Sequence, residues 1–148
     1  MVEVVEDFVT WEDRYALGIP FIDAQHKELV RLTNELFLSC KTGSANEIFR
    51  ETIKAAVKYV AEHFSAEEAM LERIKYPEFA EHKKEHEVFV QKVLEDVHNF
   101  EAGRSFVPNI FVRFLKDWIL THIAMSDKKY ANYIMRLKKA DKLTSSSS

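Results

Sequence analysis

The sequence predicts an all-α protein, an up-down-up-down antiparallel four-helix bundle with an N-terminal arm and a short C-terminal helix. Gly and Pro number only 3 each among 148 residues, too few for the turn every ten residues or so that a β-sandwich or barrel needs. Four long segments repeat apolar residues at helical spacing. The stretches between them are a few residues long, which makes consecutive helices antiparallel neighbours. With 47% hydrophobic and 30% charged residues, the chain reads as a soluble globular protein with one core of its own.

The first helix opens near Pro20, a residue suited to a first helical turn, and runs to about Lys41, where Gly43 can close it. Ile22, Leu29, Leu36 and Phe37 mark its inner face. Ser44, with Glu47 three residues on, reads as a capping box for the second helix. That helix carries Ile48, Thr52, Ala56, Tyr59, Met70 and Ile74 on one stripe and ends at Lys75-Tyr76 before Pro77. Pro77 suits the first turn of the third helix, whose stripe includes Phe79, Phe89, Val93 and Phe100 and which Ala102-Gly103 ends. Ser105 is placed to cap the fourth, with Phe111, Phe114, Trp118 and Met125 inward. A shorter amphipathic piece, about Lys128 to Lys139, follows. The first 18 residues make an arm laid over the bundle, where Trp11 could cover one end. The expected domain therefore spans residues 1–140, with 141–148, ending in TSSSS, as a disordered tail.

The net charge is -3, with 21 basic and 24 acidic residues mixed along the chain. No basic stripe is present, which argues against a nucleic-acid partner. The single Cys40 rules out an intramolecular disulfide framework and a cysteine-rich metal cluster, and fits a reducing interior such as the cytoplasm. The start, MVEVVEDFVTWEDRY, is acidic and interrupted, unlike a signal peptide, and no apolar run approaches a membrane span.

The informative feature is where the histidines fall. Ile22, His26, Leu29, Thr33 and Leu36 step by helical intervals, so His26 lies in an apolar stripe. Tyr59, His63, Glu67, Met70 and Ile74 place a histidine and a carboxylate one turn apart, facing inward. Phe79, His82, His86 and Phe89 repeat the pattern, as do Phe111, Phe114, Trp118, His122 and Met125. A lone histidine on an apolar face is ordinarily a hydrogen-bonded core residue, and a lone His-x3-Glu pair specifies little. Five inward histidines with an inward glutamate are different. Each unpartnered buried polar group costs roughly 2–7 kcal/mol, and a domain stable by about 5–15 kcal/mol cannot carry six such defects. A metal centre turns that cost into coordination. His98 serves as a control: at 12 residues after His86 it falls about 120° off the stripe and belongs outside. Asp127, five residues after His122, lies about 140° round an ideal helix. Spacing alone leaves it open between a ligand and a helix-terminal or solvated residue.

The order His26, His63-x3-Glu67, His82-x3-His86, His122-x4-Asp127 resembles the seven-ligand signature of the hemerythrins, in particular their single-domain bacterial form. The neighbouring text is similar too: LGIPFIDAQHKELV, HFSAEEAML, YPEFAEHKKEH and DWILTHIAMSD, with the likeness covering about residues 8 to 133. The resemblance implies a non-haem di-iron site that binds O2 reversibly inside a four-helix bundle. It implies one iron held by His82, His86 and His122, the other by His26 and His63, with Glu67, Asp127 and an oxide or hydroxide bridging the two. It also makes Asp127 a ligand, which spacing alone does not.

That ligand set has a rationale. Five histidines, two bridging carboxylates and a bridging oxide leave one of the twelve positions of two six-coordinate irons vacant, on the two-histidine iron in the family's arrangement. Two irons giving one electron each can bind O2 without cleaving it. A shell of neutral imidazoles, unlike the carboxylate-rich shell of di-iron oxygenases, disfavours the high-valent iron that breaks the O–O bond. Imidazole and carboxylate without thiolate suit iron, though zinc or manganese could occupy such a site. The pocket should be dry, walled by Phe64, Trp118 and Ile119. By resemblance, the aliphatic residue three before the last histidine contacts bound O2; it is often leucine and here is Ile119. The expected function is an oxygen carrier, store or scavenger rather than an enzyme. The alternatives are a sensor of oxygen, redox state or iron acting through a separate partner, a di-iron peroxidase or NO-reducing enzyme, and a purely structural metal site.

Overall fold

The computed structural model describes residues 8–41 and 46–146. Helix α1, Pro20–Lys41, starts on its proline, where the missing N–H costs nothing. The Asp23 carboxylate reaches back to accept hydrogen bonds from the backbone N–H groups of Leu17 (2.8 Å) and Gly18 (3.1 Å), fixing the angle at which the arm enters the helix. Gly43 and Ser44 lie outside the described residues. Helix α2 spans Asn46–Arg73 and α3 spans Phe79–Glu101. Helix α4 is Pro108–His122, a single π-helical turn covers Ile123–Asp127, and α5 is Lys128–Ser146. α1 packs on α2 and α4, and α2 on α3, as short connections require, giving an all-helical four-helix bundle with no strand among the described residues.

Two helix ends share one device. After α3, Gly103 at φ 69° lets the Arg104 N–H bond to the Asn99 carbonyl (2.8 Å) and the Gly103 N–H to that of Phe100 (3.2 Å). After α2, Lys75 holds the same left-handed conformation at φ 54°, with Tyr76 N–H to Leu71 (3.0 Å) and Lys75 N–H to Glu72 (3.1 Å). A lysine thus does what glycine does at lower cost.

Several expectations about faces and caps need correction. Pro77 does not open α3; it occupies a turn in which the Phe79 N–H bonds to the Tyr76 carbonyl (3.1 Å). Ser105 does not cap α4, which starts with Val107 at the cap and Pro108 in its first turn. The lower stripe of α2 is rotated by one residue: Ile48 is exposed, and Phe49 and Ile53 are buried, because Phe49 stacks edge-on against Phe100. Met125 points outward and Ile123 takes the core position, a consequence of the π turn. Helix α5 continues past Lys139 through Asp141 to Ser146, while residues 147–148 lie outside the described residues.

The core is built in layers. Leu32, Leu36, Phe49, Ile53, Phe89, Val93, Phe111 and Leu115 form one large apolar cluster. Leu17, Ile22, Leu71, Tyr76, Tyr130 and Ala131 form a smaller one. Between them each of α1–α4 contributes at least one buried histidine, so a wholly buried polar layer lies between two apolar ones. The arm covers the bundle through Val9, whose N–H and C=O both pair with the Asn34 side-chain amide (2.7 and 2.9 Å). Trp11 packs on the large cluster under Lys27, whose ammonium lies 5.6 Å from the ring centre.

Candidate metal centre

The polar layer holds His26 from α1, His63 and Glu67 from α2, His82 and His86 from α3, His122 at the end of α4, and Asp127 at the end of the π turn. All are buried, whereas His98 on α3 is exposed. An α-helix would carry Asp127 about 140° away from His122. The π turn closes five residues instead of four, so Asp127 returns to the face of His122. The local loosening of one turn decides which way this carboxylate points.

The five imidazoles present Nε2 to the interior, and the two carboxylates divide them into two sets. Glu67 Oε1 lies 2.7 Å from His82 Nε2 and 3.1 Å from His86 Nε2. Its other oxygen, Oε2, lies 3.4 Å from His63 Nε2 and 3.8 Å from His26 Nε2. Asp127 repeats the division: Oδ1 is 3.2 Å from His82 and 3.1 Å from His122, and Oδ2 is 3.1 Å from His26. The donor atoms form two groups able to hold a cation, Glu67, His82, His86, His122 and Asp127 in one and His26, His63, Glu67 and Asp127 in the other, with ligand atoms within 4.8 Å of each other. Both nitrogens of His26 and both oxygens of Asp127 are buried, and their close contacts in the cluster lack hydrogen-bond geometry. Unsatisfied polar atoms at this depth are costly, and together with the neutral nitrogen and anionic oxygen donors they fit a metal better than a hydrogen-bonded core.

Outer partners hold the ring orientations. His63 Nδ1–H donates to Gln25 Oε1 (2.7 Å) and His86 Nδ1–H to Glu68 Oε2 (2.9 Å), while His122 Nδ1 lies 3.0 Å from Glu85 Oε2. A proton kept on Nδ1 leaves the Nε2 lone pair free for a ligand bond. Ser126, inside the π turn, donates to Glu85 at 2.6 Å and ties that turn to α3. Tyr130, fully buried, donates to Glu67 Oε2 at 3.0 Å. None of Gln25, Glu68, Glu85, Ser126 or Tyr130 emerged from helical spacing as part of the site. Tyr130 alone carries a usable signal, three residues beyond Asp127 on a helical face.

Burial disfavours a charged His26 or His82, but the adjacent Asp127 and Glu67 outweigh it and raise both to about 9 in the metal-free protein. Burial likewise opposes charge on Glu67, yet the surrounding imidazoles hold its carboxyl well below the usual range. Asp127 is also lowered, against burial and the nearby Glu67 charge, by His122 and His26.

Phe64, Trp118 and Ile119 border a cavity of about 10 Å³ beside His26, His63, His122 and Asp127. Phe64 stacks on His86 (3.7 Å between ring centres) and Trp118 on His122 (4.4 Å).

Residues 17–134 match the family model described as the hemerythrin HHE cation binding domain. The chain belongs to the hemerythrin family. It is 33% identical over 123 residues to the bacteriohemerythrin of Methylococcus capsulatus, covering 82% of this chain and 93% of the relative. It is 32% identical over 126 residues to that of Stenotrophomonas maltophilia, covering 85% and 81%. A wild-type hemerythrin crystal structure superposes with a TM-score of 0.80 at 32% identity, over 84% of this chain and 96% of that one. Family and fold are consistent with non-haem iron oxygen binding. No helix among the described residues is long and apolar enough to cross a membrane.

Proposed function

We propose that this protein binds O2 reversibly at a di-iron centre, as an oxygen carrier, store or scavenger. On this reading His82, His86 and His122 hold one iron and His26 and His63 the other, with Glu67, Asp127 and an oxide or hydroxide bridging. The observation that carries the reading is the division of each carboxylate, one oxygen to each set of histidines. When bound, the two irons supply the two electrons that O2 takes up and gives back.

The chain's own residues do the rest. Gln25, Glu68 and Glu85 keep Nδ1 of three histidines occupied and aim Nε2 inward. Tyr130 pins the Glu67 oxygen that faces His26 and His63. Phe64, Trp118 and Ile119 exclude water, and a cavity of about 10 Å³ leaves room for little more than one small molecule. The match to the hemerythrin family supports reading the protein as one that binds O2 rather than transforms it. The half-buried Cys40 thiol suits a reducing compartment such as the cytoplasm.

The test is the visible spectrum of iron-loaded, reduced protein under argon, in air, and under argon again. A charge-transfer band that appears with air and disappears on purging is expected. A band that persists would indicate oxidation to the diferric state and refute reversible binding. Turnover of peroxide or NO well above the autoxidation rate would favour an enzyme. Substituting His82→Ala or Glu67→Ala should abolish loading of the metal pair, while His98→Ala should leave it intact.

A further inference from the structure

The small pocket beside the histidines shares a wall with a second cavity. Leu29, Val60, Phe89 and Ile119 line both. The second cavity extends through the large apolar cluster toward Phe111 and has a volume of about 190 Å³. Thr33 carries the single polar side chain on its lining, and the Thr33 hydroxyl is committed to the Leu29 carbonyl at 2.8 Å. Nothing there can hold an ordered water, which needs two or more polar partners.

Close-packed interiors rarely keep a void of this size, because the lining atoms lose contacts they would otherwise make. The space persists because small or β-branched residues face it where longer ones would close it, Ala56 from α2 and Val93 from α3 among them. It also has a route to the surface. Ala61, Val90 and Leu94 line both this cavity and the open groove between α2 and α3, and Leu94 is half exposed. An enclosed apolar cavity of roughly 150 Å³ in a protein stays dry and accepts benzene or xenon.

We propose that this cavity is a binding site for an uncharged hydrocarbon group about the size of benzene, entering between α2 and α3 and distinct from the metal centre. Its occupant would touch the four side chains that the cavity shares with the small pocket, so it stands directly behind Ile119. The site does not depend on the di-iron reading.

Benzene, and separately xenon, would be tested on the iron-loaded full chain, by titration calorimetry and by xenon-pressurised crystals. Saturable one-to-one benzene binding and xenon density among Ala56, Val93 and Leu115 are expected. Ala56→Leu, which fills the cavity, should weaken benzene by at least about tenfold, and Ala61→Phe, which closes the groove at an exposed position and so guards against a folding failure, should slow benzene entry by at least about tenfold in stopped-flow mixing. No saturable benzene binding, undiminished affinity in a folded Ala56→Leu variant, or an unchanged entry rate in Ala61→Phe overturns the proposal. So does xenon binding without benzene, which would make the cavity a reservoir for gases. Neither readout involves the iron spectrum, so failure here and failure of reversible O2 binding are separable.

Discussion

Tyr130→Phe removes the phenol that hydrogen-bonds the central carboxylate. Tyr130 is wholly buried, and its hydroxyl donates to Glu67 Oε2 at 3.0 Å. The phenyl ring keeps its volume and its contacts with Tyr76 and His82, so the substitution removes a hydrogen bond and little packing. A hydrogen bond to a charged group contributes about 1.5–3 kcal/mol. Burial leaves no water to replace the lost donor, so the full range applies rather than its lower edge. For a chain of this length that corresponds to a fall in Tm of roughly 3–12 °C. Urea unfolding of the metal-free protein measures it directly, with an unchanged m-value expected. Tyr133→Phe is the control: its ring also packs on Tyr76, but it donates no hydrogen bond to the cluster and should shift stability by less than about 0.5 kcal/mol. Equal effects from the two substitutions would show that the phenol does not hold Glu67.

The metal-free protein should lose stability as pH rises from about 6.5 to 9. His26 and His82 keep their protons to about 9 in the fold but release them near 6.5 when unfolded, so their contribution is complete below 6.5 and lost above 9. Glu67 and Asp127, held low in the fold, contribute above their unfolded values of 4.5 and 3.8 and lose that contribution as acid protonates them. Urea midpoints at several pH values check this; a midpoint that rises between pH 6.5 and 9 refutes it. Metal binding must then expel the histidine protons, so proton release on metal addition should be measurable in weak buffer near pH 7.5. Lys75→Gly should stabilise the chain by about 1 kcal/mol, since an exposed side chain holds φ 54° there; loss of stability on thermal melting would contradict it. Phe89→Ala, removing a ring stacked at 3.9 Å on Trp118 from the wall of both cavities, should cost about 3–5 kcal/mol by urea unfolding.

Much of this protein is written in its periodicity. Scarce Gly and Pro, apolar residues at helical spacing and short connections determine the four-helix bundle, because each amphipathic helix has one face to bury. The same periodicity puts His26, His63, Glu67, His82, His86 and His122 inward and His98 outward, since a phase along a helix is local information. The errors arise where a single phase does not hold. Ile48 and Phe49 compete for one core position, and the rings of Phe100 and Phe106, distant in the chain, select between them. Asp127 and Met125 follow a helix that changes pitch after His122, and no residue spacing announces a π turn. Gln25, Glu68 and Glu85 reach histidines on other helices, 38, 18 and 37 positions away in the chain. Such pairings depend on how neighbouring helices slide and rotate against each other. Tertiary packing therefore decided the assignment of each carboxylate oxygen to its histidines, the anchoring of Glu67 by Tyr130, and the void behind Ile119, because all three are relations between helices rather than properties of one.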